Sequence, residues 1–292
     1  MRAPRTAGTR QPGPLKPATL GPAALWSDAT LSWNQTTPKR QYSPRTAWPI
    51  QPLHHRIPLV PEHVLHDILH QLQRAAHDAG RPVPRLLAVS KTQGETAVAN
   101  LALMGQTAFG ENYVQEAAAK HAAMAGTAAA GLALEWHLIG HLQSNKAAQA
   151  AALFDWVQTV DRAKLVAALA RHRDPRAAPL NVLIQVNIDD EASKHGCRPE
   201  DAPALAAAIA AEPRLRLRGL MVIPTPHDDP ALRRPAFAKA RALFDALAAE
   251  HGAAVDTLSM GMSDDYAIAI AEGATMVRIG TALFGARVRA TG

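Results

Sequence analysis

The sequence of 292 residues contains little cysteine, few aromatic residues and no long apolar run. Its single cysteine, Cys197, excludes an intramolecular disulfide and a cysteine-rich metal site, and is typical of proteins from a reducing cytoplasm. The longer apolar windows, such as residues 204–211, are rich in alanine and much shorter than a bilayer span requires. We therefore expect a cytoplasmic globular protein with no membrane partner.

A recognisable metal-binding motif is also absent, although the sequence contains 13 histidines. No HExxH or comparable ligand spacing occurs. His66 and His70 lie four residues apart in "HDILH", on one helix face, but no third ligand accompanies them. We interpret this segment as the surface of an amphipathic helix and predict no metal site.

The net charge of +6 is concentrated at the start of the chain. Residues 1–56 contain eight Lys or Arg against one acid, Asp28, which leaves 23 of the 31 basic and 24 of the 25 acidic residues in the remainder. A near-neutral body lacks the basic surface that duplex binding requires. We therefore expect no nucleic-acid partner.

Residues 1–56 also differ in composition, with nine prolines, little periodicity and no apolar face. Such a segment is predicted to be disordered. It lacks the apolar core of a secretory signal, and its prolines would disrupt the amphipathic helix of a transit peptide. We predict two regions: a disordered extension over residues 1–56, which is either a product of start-site assignment or a tail with its own partner, and one folded domain over residues 57–292.

The rest of the chain alternates short apolar runs with helical stretches. A helical pattern, "VLHDILHQLQRAAHDAG", ends at Gly80, a typical helix C-cap. Eight apolar runs follow, at residues 86–91, 107–112, 136–141, 155–161, 181–189, 217–223, 256–261 and 275–280. Eight strand–helix units predict an α/β fold with a single (β/α)8 barrel. The alternative is a doubly wound open sheet, which would have a GxGxxG turn where this chain has "SKTQGET".

Polar residues recur where the apolar runs stop. The first run ends on Lys91, an unusual last residue for a buried strand because its ammonium is costly to desolvate. The polar residues at the other run ends are Asn112, His141, Asp161, Asn187, Ser259 and Arg278. Since the C-terminal ends of barrel strands form the active face, this ring predicts a ligand pocket beside Lys91. Helix capping and turn formation remain the alternatives for Asp161 and Asn187.

The last strand–helix unit indicates what the ligand contains. "MVRIGTALFG" places Arg278 at the end of strand eight and Gly280 and Thr281 at the opening of a short helix, where backbone N–H groups favour an anion. "LSMGMSDD" adds the hydroxyls of Ser259 and Ser263 nearby. A lysine amine that faces a phosphate site predicts a phosphorylated aldehyde held as a Schiff base.

Seven segments, in order, closely resemble the pyridoxal phosphate homeostasis protein family: "LLAVSKTQ", "FGENYVQE", "WHLIGHLQSNK", "VNIDDEASKHGC", "RGLMVIP", "LSMGMSDDY" and "MVRIGTALFGAR". The resemblance runs from about Pro61 to Arg287, and the ordered set is far more specific than any one segment. It implies a barrel of the alanine racemase N-terminal-domain type, pyridoxal 5′-phosphate (PLP) as cofactor, and a role in intracellular vitamin B6 homeostasis. It implies nothing for the extension.

The resemblance also implies a role for each matched residue. Lys91 would hold PLP as a Schiff base, and Arg278 would face the pyridine nitrogen. Ser259, Gly280 and Thr281 would hold the phosphate. The residues expected to line the rest of the pocket are Asn112, Met260 and His141.

Two features favour a carrier over an enzyme. An arginine opposite the ring nitrogen cannot surrender its proton, so the pyridine stays unprotonated and is a poorer electron sink than one paired with a carboxylate. Alanine racemase shares this feature and is an enzyme, so the second feature is the stronger of the two. Only five residues follow Arg287, which leaves no room for the second domain that supplies alanine racemase with its opposing tyrosine. We therefore assign no catalytic residue and expect a monomer that buffers PLP or delivers it to PLP-dependent apoenzymes.

Two alternatives remain open. The first is a PLP-dependent enzyme of racemase-like type, whose second base would come from His141, Tyr113 or a partner subunit. The second is an aldolase-type barrel that uses Lys91 on a sugar phosphate.

Overall fold

The structure, a computed structural model, describes residues 60–191 and 193–285. The extension predicted over residues 1–56, and its boundary at residue 57, lie outside the described residues. Within those ranges, no helix has both the length and the hydropathy needed to cross a bilayer.

Eight parallel strands close into a barrel in the order in which they occur along the chain. Their bounds are β1 Arg85–Val89, β2 Ala108–Glu111, β3 Glu135–Leu138, β4 Trp156–Val160, β5 Leu180–Val186, β6 Leu215–Val222, β7 Thr257–Ser259 and β8 Met276–Ile279. Strand β1 pairs with both β2 and β8, which closes the ring. The predicted (β/α)8 barrel is therefore confirmed, and an open sheet is excluded.

Helices connect the strands and form the outer layer. Their bounds are α1 Glu62–Asp78, α2 Glu95–Leu103, α3 Val114–Met124, α4 Ala147–Leu153, α5 Ala163–His172, α6 Ala202–Ala210, α7 Pro230–His251, α8 Tyr266–Ala271 and α9 Thr281–Phe284. Helix α1 buries Leu65, Ile68 and Leu72 on one face and exposes His66 and His70, as the sequence pattern predicts. Gly80 follows it with a φ of 60°, a conformation that favours glycine.

The barrel has two distinct packing regions. One large cluster of buried residues fills the space between the outer face of the strands and the helices. The interior contains two small apolar clusters, made of Leu87, Ala108 and Met276 and of Trp156, Leu183 and Met221. Because successive strand residues point to opposite faces, alternate residues supply each region. The polar strand-end residues therefore extend the interior set toward the C-terminal mouth.

Candidate functional site

A cavity of about 620 Å³ opens at the C-terminal ends of the strands. Its wall is formed by Val89, Lys91, Thr92, Gln93, Asn112, Ile139, Ile223, Met262, Ser263, Asp264, Arg278, Gly280, Thr281, Ala282 and Gly285. Barrels place their active sites at this face, and the volume is that of a typical small-molecule site. Five of the predicted site residues meet here: Lys91, Asn112, Arg278, Gly280 and Thr281.

The backbone on both sides of Lys91 is fixed by hydrogen bonds. The Ser90 hydroxyl donates to Glu111 Oε1 over 2.6 Å, and the Thr92 amide donates to Glu116 Oε1 over 2.5 Å. Thr92 has a φ of 64°, a left-handed conformation that is unfavourable for a β-branched residue. These contacts hold the chain in a turn that directs Lys91 into the cavity wall.

Behind that turn lies a buried ion pair that the sequence analysis did not identify. The Lys120 ammonium donates to Glu111 Oε1 over 2.5 Å and to the Ser90 carbonyl over 2.7 Å. It also lies 3.3 Å from Glu116 Oε1. Burial raises the pKa of Glu111, and the attraction of Lys120 offsets only part of that effect. The carboxylate in the apolar run "FGEN" was the available signal for this cluster.

Arg278 occupies the floor of the cavity and is 4% exposed. Its Nη1 donates to the carbonyl and the hydroxyl of Ser259, over 2.8 and 2.9 Å, and its Nη2 donates to the Val222 carbonyl over 2.9 Å. Burial lowers its pKa to about 10, so the guanidinium stays charged at neutral pH. An arginine has five N–H donors, and these contacts use three of them.

Two predicted ligand residues, Ser259 and Met260, are completely buried and do not line the cavity. The Ser259 hydroxyl already donates to Gln158 Oε1 over 2.8 Å and accepts from Arg278. This differs from the sequence-based expectation that Ser259 holds a phosphate, because its hydroxyl is engaged below Arg278. Met260 belongs to the large outer cluster. Of the two serines in "LSMGMSDD", Ser263 is the one in the cavity wall.

Gly280 and Thr281 form the turn between β8 and α9, on the cavity wall. A Cβ atom added to Gly280 would lie 3.2 Å from the Val89 carbonyl oxygen and 3.3 Å from the Val89 Cβ. The glycine therefore lets this turn approach β1 more closely than an alanine would without a shift of a few tenths of an ångström. The first N–H groups of a helix have no partner within the helix, which suits this turn to an anion.

The other strand-end residues have local roles. The Asn187 side chain bonds to the amide and the carbonyl of Glu191, which is the turn-forming alternative left open above. Asp161 accepts from Arg162 over 2.5 Å and lies 3.7 Å from the His141 ring. His141 and Tyr113 line a neighbouring cavity of about 340 Å³, which shares Asn112 with the first.

Cys197 is buried, and burial raises the pKa of its thiol to about 12, as expected of an inert core cysteine. Over residues 60–191 and 193–285, no group of three or more His, Cys, Asp or Glu side chains is placed to hold a metal ion.

Comparison with known proteins bears on the identity of this barrel. The sequence model of the alanine racemase N-terminal domain matches residues 64–288. The pyridoxal phosphate homeostasis protein of Pseudomonas aeruginosa is 51% identical over 219 residues, which cover 74% of this chain and 91% of that protein. The protein of the same name from Escherichia coli K12 is 47% identical over 227 residues, which cover 77% of this chain and 96% of that protein.

A solved structure agrees with the sequence matches. PipY of Synechococcus elongatus, solved with PLP bound, superposes with a TM-score of 0.66 at 34% identity, over 77% of this chain and 99% of PipY. The chain therefore belongs to the family of the alanine racemase N-terminal domain and, within it, to the pyridoxal phosphate homeostasis proteins.

Proposed function

We propose that this protein binds PLP in the cavity at the C-terminal mouth, with Lys91 as the Schiff-base amine, and that it serves PLP homeostasis as a carrier. The observation that carries the proposal is that one cavity combines a lysine amine, a buried guanidinium and a glycine-containing turn. The same cofactor is bound to PipY, a relative that this chain covers almost completely.

The donors of the cavity match the three chemical groups of PLP. The cofactor supplies an aldehyde for a primary amine, a phosphate dianion and a pyridine nitrogen. The amine is Lys91, and the phosphate ligands are the turn at Gly280 and Thr281 together with the Ser263 hydroxyl. Asn112 lies on the wall shared with the neighbouring cavity, from which it would contact the cofactor from the side.

Arg278 is assigned to the pyridine nitrogen. Three of its five donors are bound to protein oxygen atoms, so the guanidinium is fixed in place, and the two that remain are available to the ring. A charged donor that keeps its proton holds the pyridine nitrogen unprotonated. The bound cofactor is then a weak electron sink, which suits retention and release better than turnover.

The surroundings of Lys91 also favour a carrier. Apart from Lys91 and Arg278, the only titratable residue in the cavity wall, among the described residues, is Asp264. The two residues considered as a second base, His141 and Tyr113, line the neighbouring cavity instead. We therefore propose a monomeric cytoplasmic protein that buffers PLP or hands it to apoenzymes, with no catalytic residue.

Titration with PLP tests this proposal. The wild-type protein should develop the absorbance of a protonated or neutral imine, and Lys91→Ala should not. Lys164→Ala, on the exposed side of α5, is the matched control and should behave as the wild type. Steady-state assays of the loaded protein with D- and L-amino acids distinguish a carrier from an enzyme. Multiple turnovers that are lost in Lys91→Ala would support the racemase-like alternative and contradict the carrier.

A further inference from the structure

A line of hydrogen-bonded side chains crosses the interior of the barrel and ends at Arg278. It begins at Glu135, at the start of β3, where Oε1 lies 2.5 Å from His137 Nε2. The other ring nitrogen of His137 lies 2.9 Å from Gln158 Nε2. Gln158 Oε1 accepts from the Ser259 hydroxyl over 2.8 Å. The Ser259 hydroxyl oxygen in turn accepts from Arg278 over 2.9 Å. Four hydrogen bonds thus connect the N-terminal end of the barrel with the cavity floor.

This line is buried in otherwise apolar surroundings. The side chains of His137, Gln158 and Ser259 are completely buried, and the His137 ring stacks on Trp156 with centroids 5.1 Å apart. Placing an amide and an imidazole in such an interior is costly unless each is hydrogen-bonded. Leucine and isoleucine fill the same layers in most barrels. A polar line in this position therefore calls for a role beyond packing.

The direction of each hydrogen bond is set by the two ends of the line, a guanidinium that only donates and an ionised carboxylate that only accepts. The Ser259 oxygen accepts from Arg278, and its proton points to Gln158 Oε1. The Gln158 amide group then directs its NH₂ to His137 Nδ1, which must be an acceptor. The remaining proton of the neutral imidazole lies on Nε2 and is donated to Glu135. Every donor in the line points away from Arg278.

Charge at the far end stabilises this direction. The Arg85 guanidinium lies 2.7 Å from Glu135. Burial raises the pKa of Glu135, but the contacts with His137 and Arg85 outweigh it and hold the pKa at about 2. Burial lowers the pKa of His137, so its ring is neutral at pH 7. An ionised Glu135 accepts only, which keeps the proton of His137 on Nε2.

We propose that His137 and Gln158 are positioning residues for Arg278: the line anchored at Glu135 fixes the Ser259 hydroxyl as an acceptor and thereby holds the guanidinium with two donors toward the cavity. If the Gln158 amide were reversed, its carbonyl would face His137 Nδ1 and its NH₂ would face the Ser259 oxygen, so the Ser259 proton would lose its acceptor. The inference rests on the proposed function only in so far as Arg278 faces the cofactor ring.

The first test uses the wild-type protein without PLP. Long-range proton–nitrogen NMR of the histidine rings should show His137 neutral at pH 7, with its proton on Nε2. A proton on Nδ1 would point two donors at each other across the 2.9 Å contact with Gln158, and that result would overturn the inference.

The second test compares two buried glutamines. Gln158→Met breaks the line, whereas Gln106→Met removes a buried amide that donates to the carbonyls of Leu86 and Ala108, outside the line. Gln158→Met should weaken PLP binding by about fivefold to tenfold and shift the absorbance maximum of the bound cofactor. Gln106→Met should lower the stability but leave the affinity within about twofold and the spectrum unchanged. Equal behaviour of the two variants would contradict a positioning role.

A conservative replacement separates position from packing. His137→Asn keeps an acceptor close to the place of Nδ1 and should retain the wild-type spectrum, whereas His137→Leu should reproduce Gln158→Met. If Gln158→Met does not fold, Ser259→Ala breaks the same line with a smaller change, and an unshifted spectrum in that variant would count against the inference. A wild-type protein that shows no absorbance with PLP would contradict the proposed function, while the NMR result would still test the line.

Discussion

At the scale of single residues, the position of Lys91 depends on a charged cluster that never enters the cavity. Ser90 and Thr92 flank Lys91, and each is bound to a glutamate that also contacts Lys120. These contacts, together with the backbone hydrogen bond from the Gln93 amide to the Ser90 carbonyl, hold Thr92 at its unfavourable φ. The cluster therefore connects the stability of the barrel with the placement of the amine.

Removing the ammonium of Lys120 should affect both properties. Lys120→Met leaves the Glu111 carboxylate buried without its partner, and we expect the free energy of unfolding to fall by about 3 kcal/mol. The affinity for PLP should fall as well, because the turn around Lys91 loses its support. Chemical denaturation and PLP titration measure the two effects. Lys164→Met is the control, and a Lys120→Met protein that matches it in both measurements would refute the role of the cluster.

The pH dependence of stability reports on His137. Burial lowers the pKa of its ring in the folded protein, whereas the pKa of a histidine in the unfolded chain is about 6.5. As the pH falls below 6.5, the unfolded chain takes up a proton that the folded protein does not, so the free energy of unfolding falls by up to ~1.4 kcal/mol per pH unit. His137→Asn removes this contribution.

Between pH 7 and pH 5, the free energy of unfolding should therefore fall more steeply with decreasing pH for the wild type than for His137→Asn, as measured by chemical denaturation at each pH. His66→Asn, an exposed histidine of α1, is the control and should follow the wild type. The same pH dependence of the unfolding free energy in the wild type and in His137→Asn would show that the buried ring does not oppose protonation.

At the scale of elements, the sequence predicts the strands well and their buried polar contacts poorly. All eight strands coincide with apolar runs, and Lys91, Asn112 and Arg278 were placed at the mouth because strand ends meet there. Ser259 lies below Arg278 and does not line the cavity, and β7, with only three residues, is too short for alternation to show which side chain reaches the cavity. The buried position of Lys120 was not predicted, because a lysine in an alanine-rich helix usually lies at the surface.

The turn from β8 to α9 provides a test at this scale. Gly280→Ala would push a methyl group against Val89, so the turn must move away from β1. We expect the affinity for PLP to fall by roughly fivefold, about 1 kcal/mol, with an unchanged spectrum because Arg278 stays in place. Gly126→Ala, where an added Cβ makes only an ordinary contact at 3.6 Å, is the control. A shifted spectrum with unchanged affinity would argue against a phosphate site at this turn.

At the scale of the whole molecule, the described residues form a closed barrel with a continuous outer core. The family match covers the same region, at residues 64–288. The fold was predictable because a regular alternation of eight strands and helices has few compact arrangements. The line from Glu135 to Arg278 was not, because it joins four strands and its contact between Gln158 and Ser259 crosses the barrel interior from β4 to β7.

A chain that begins at Ile57 should therefore fold and bind PLP like the full-length protein. We expect equal affinities and melting temperatures within a few degrees, as measured by PLP titration and by calorimetry. Loss of PLP binding on truncation would show that residues 1–56 contribute to the site.

Reduction of the PLP-loaded protein with borohydride, followed by peptide mass spectrometry, locates the amine that holds the cofactor. The reduced adduct should lie on Lys91, in stoichiometric amount, and Lys91→Ala should carry none. Lys146, on the wall of the neighbouring cavity, and the buried Lys120 are internal controls in the same digest. An adduct on either of them in the wild type, with Lys91 unmodified, would contradict the assignment of the site.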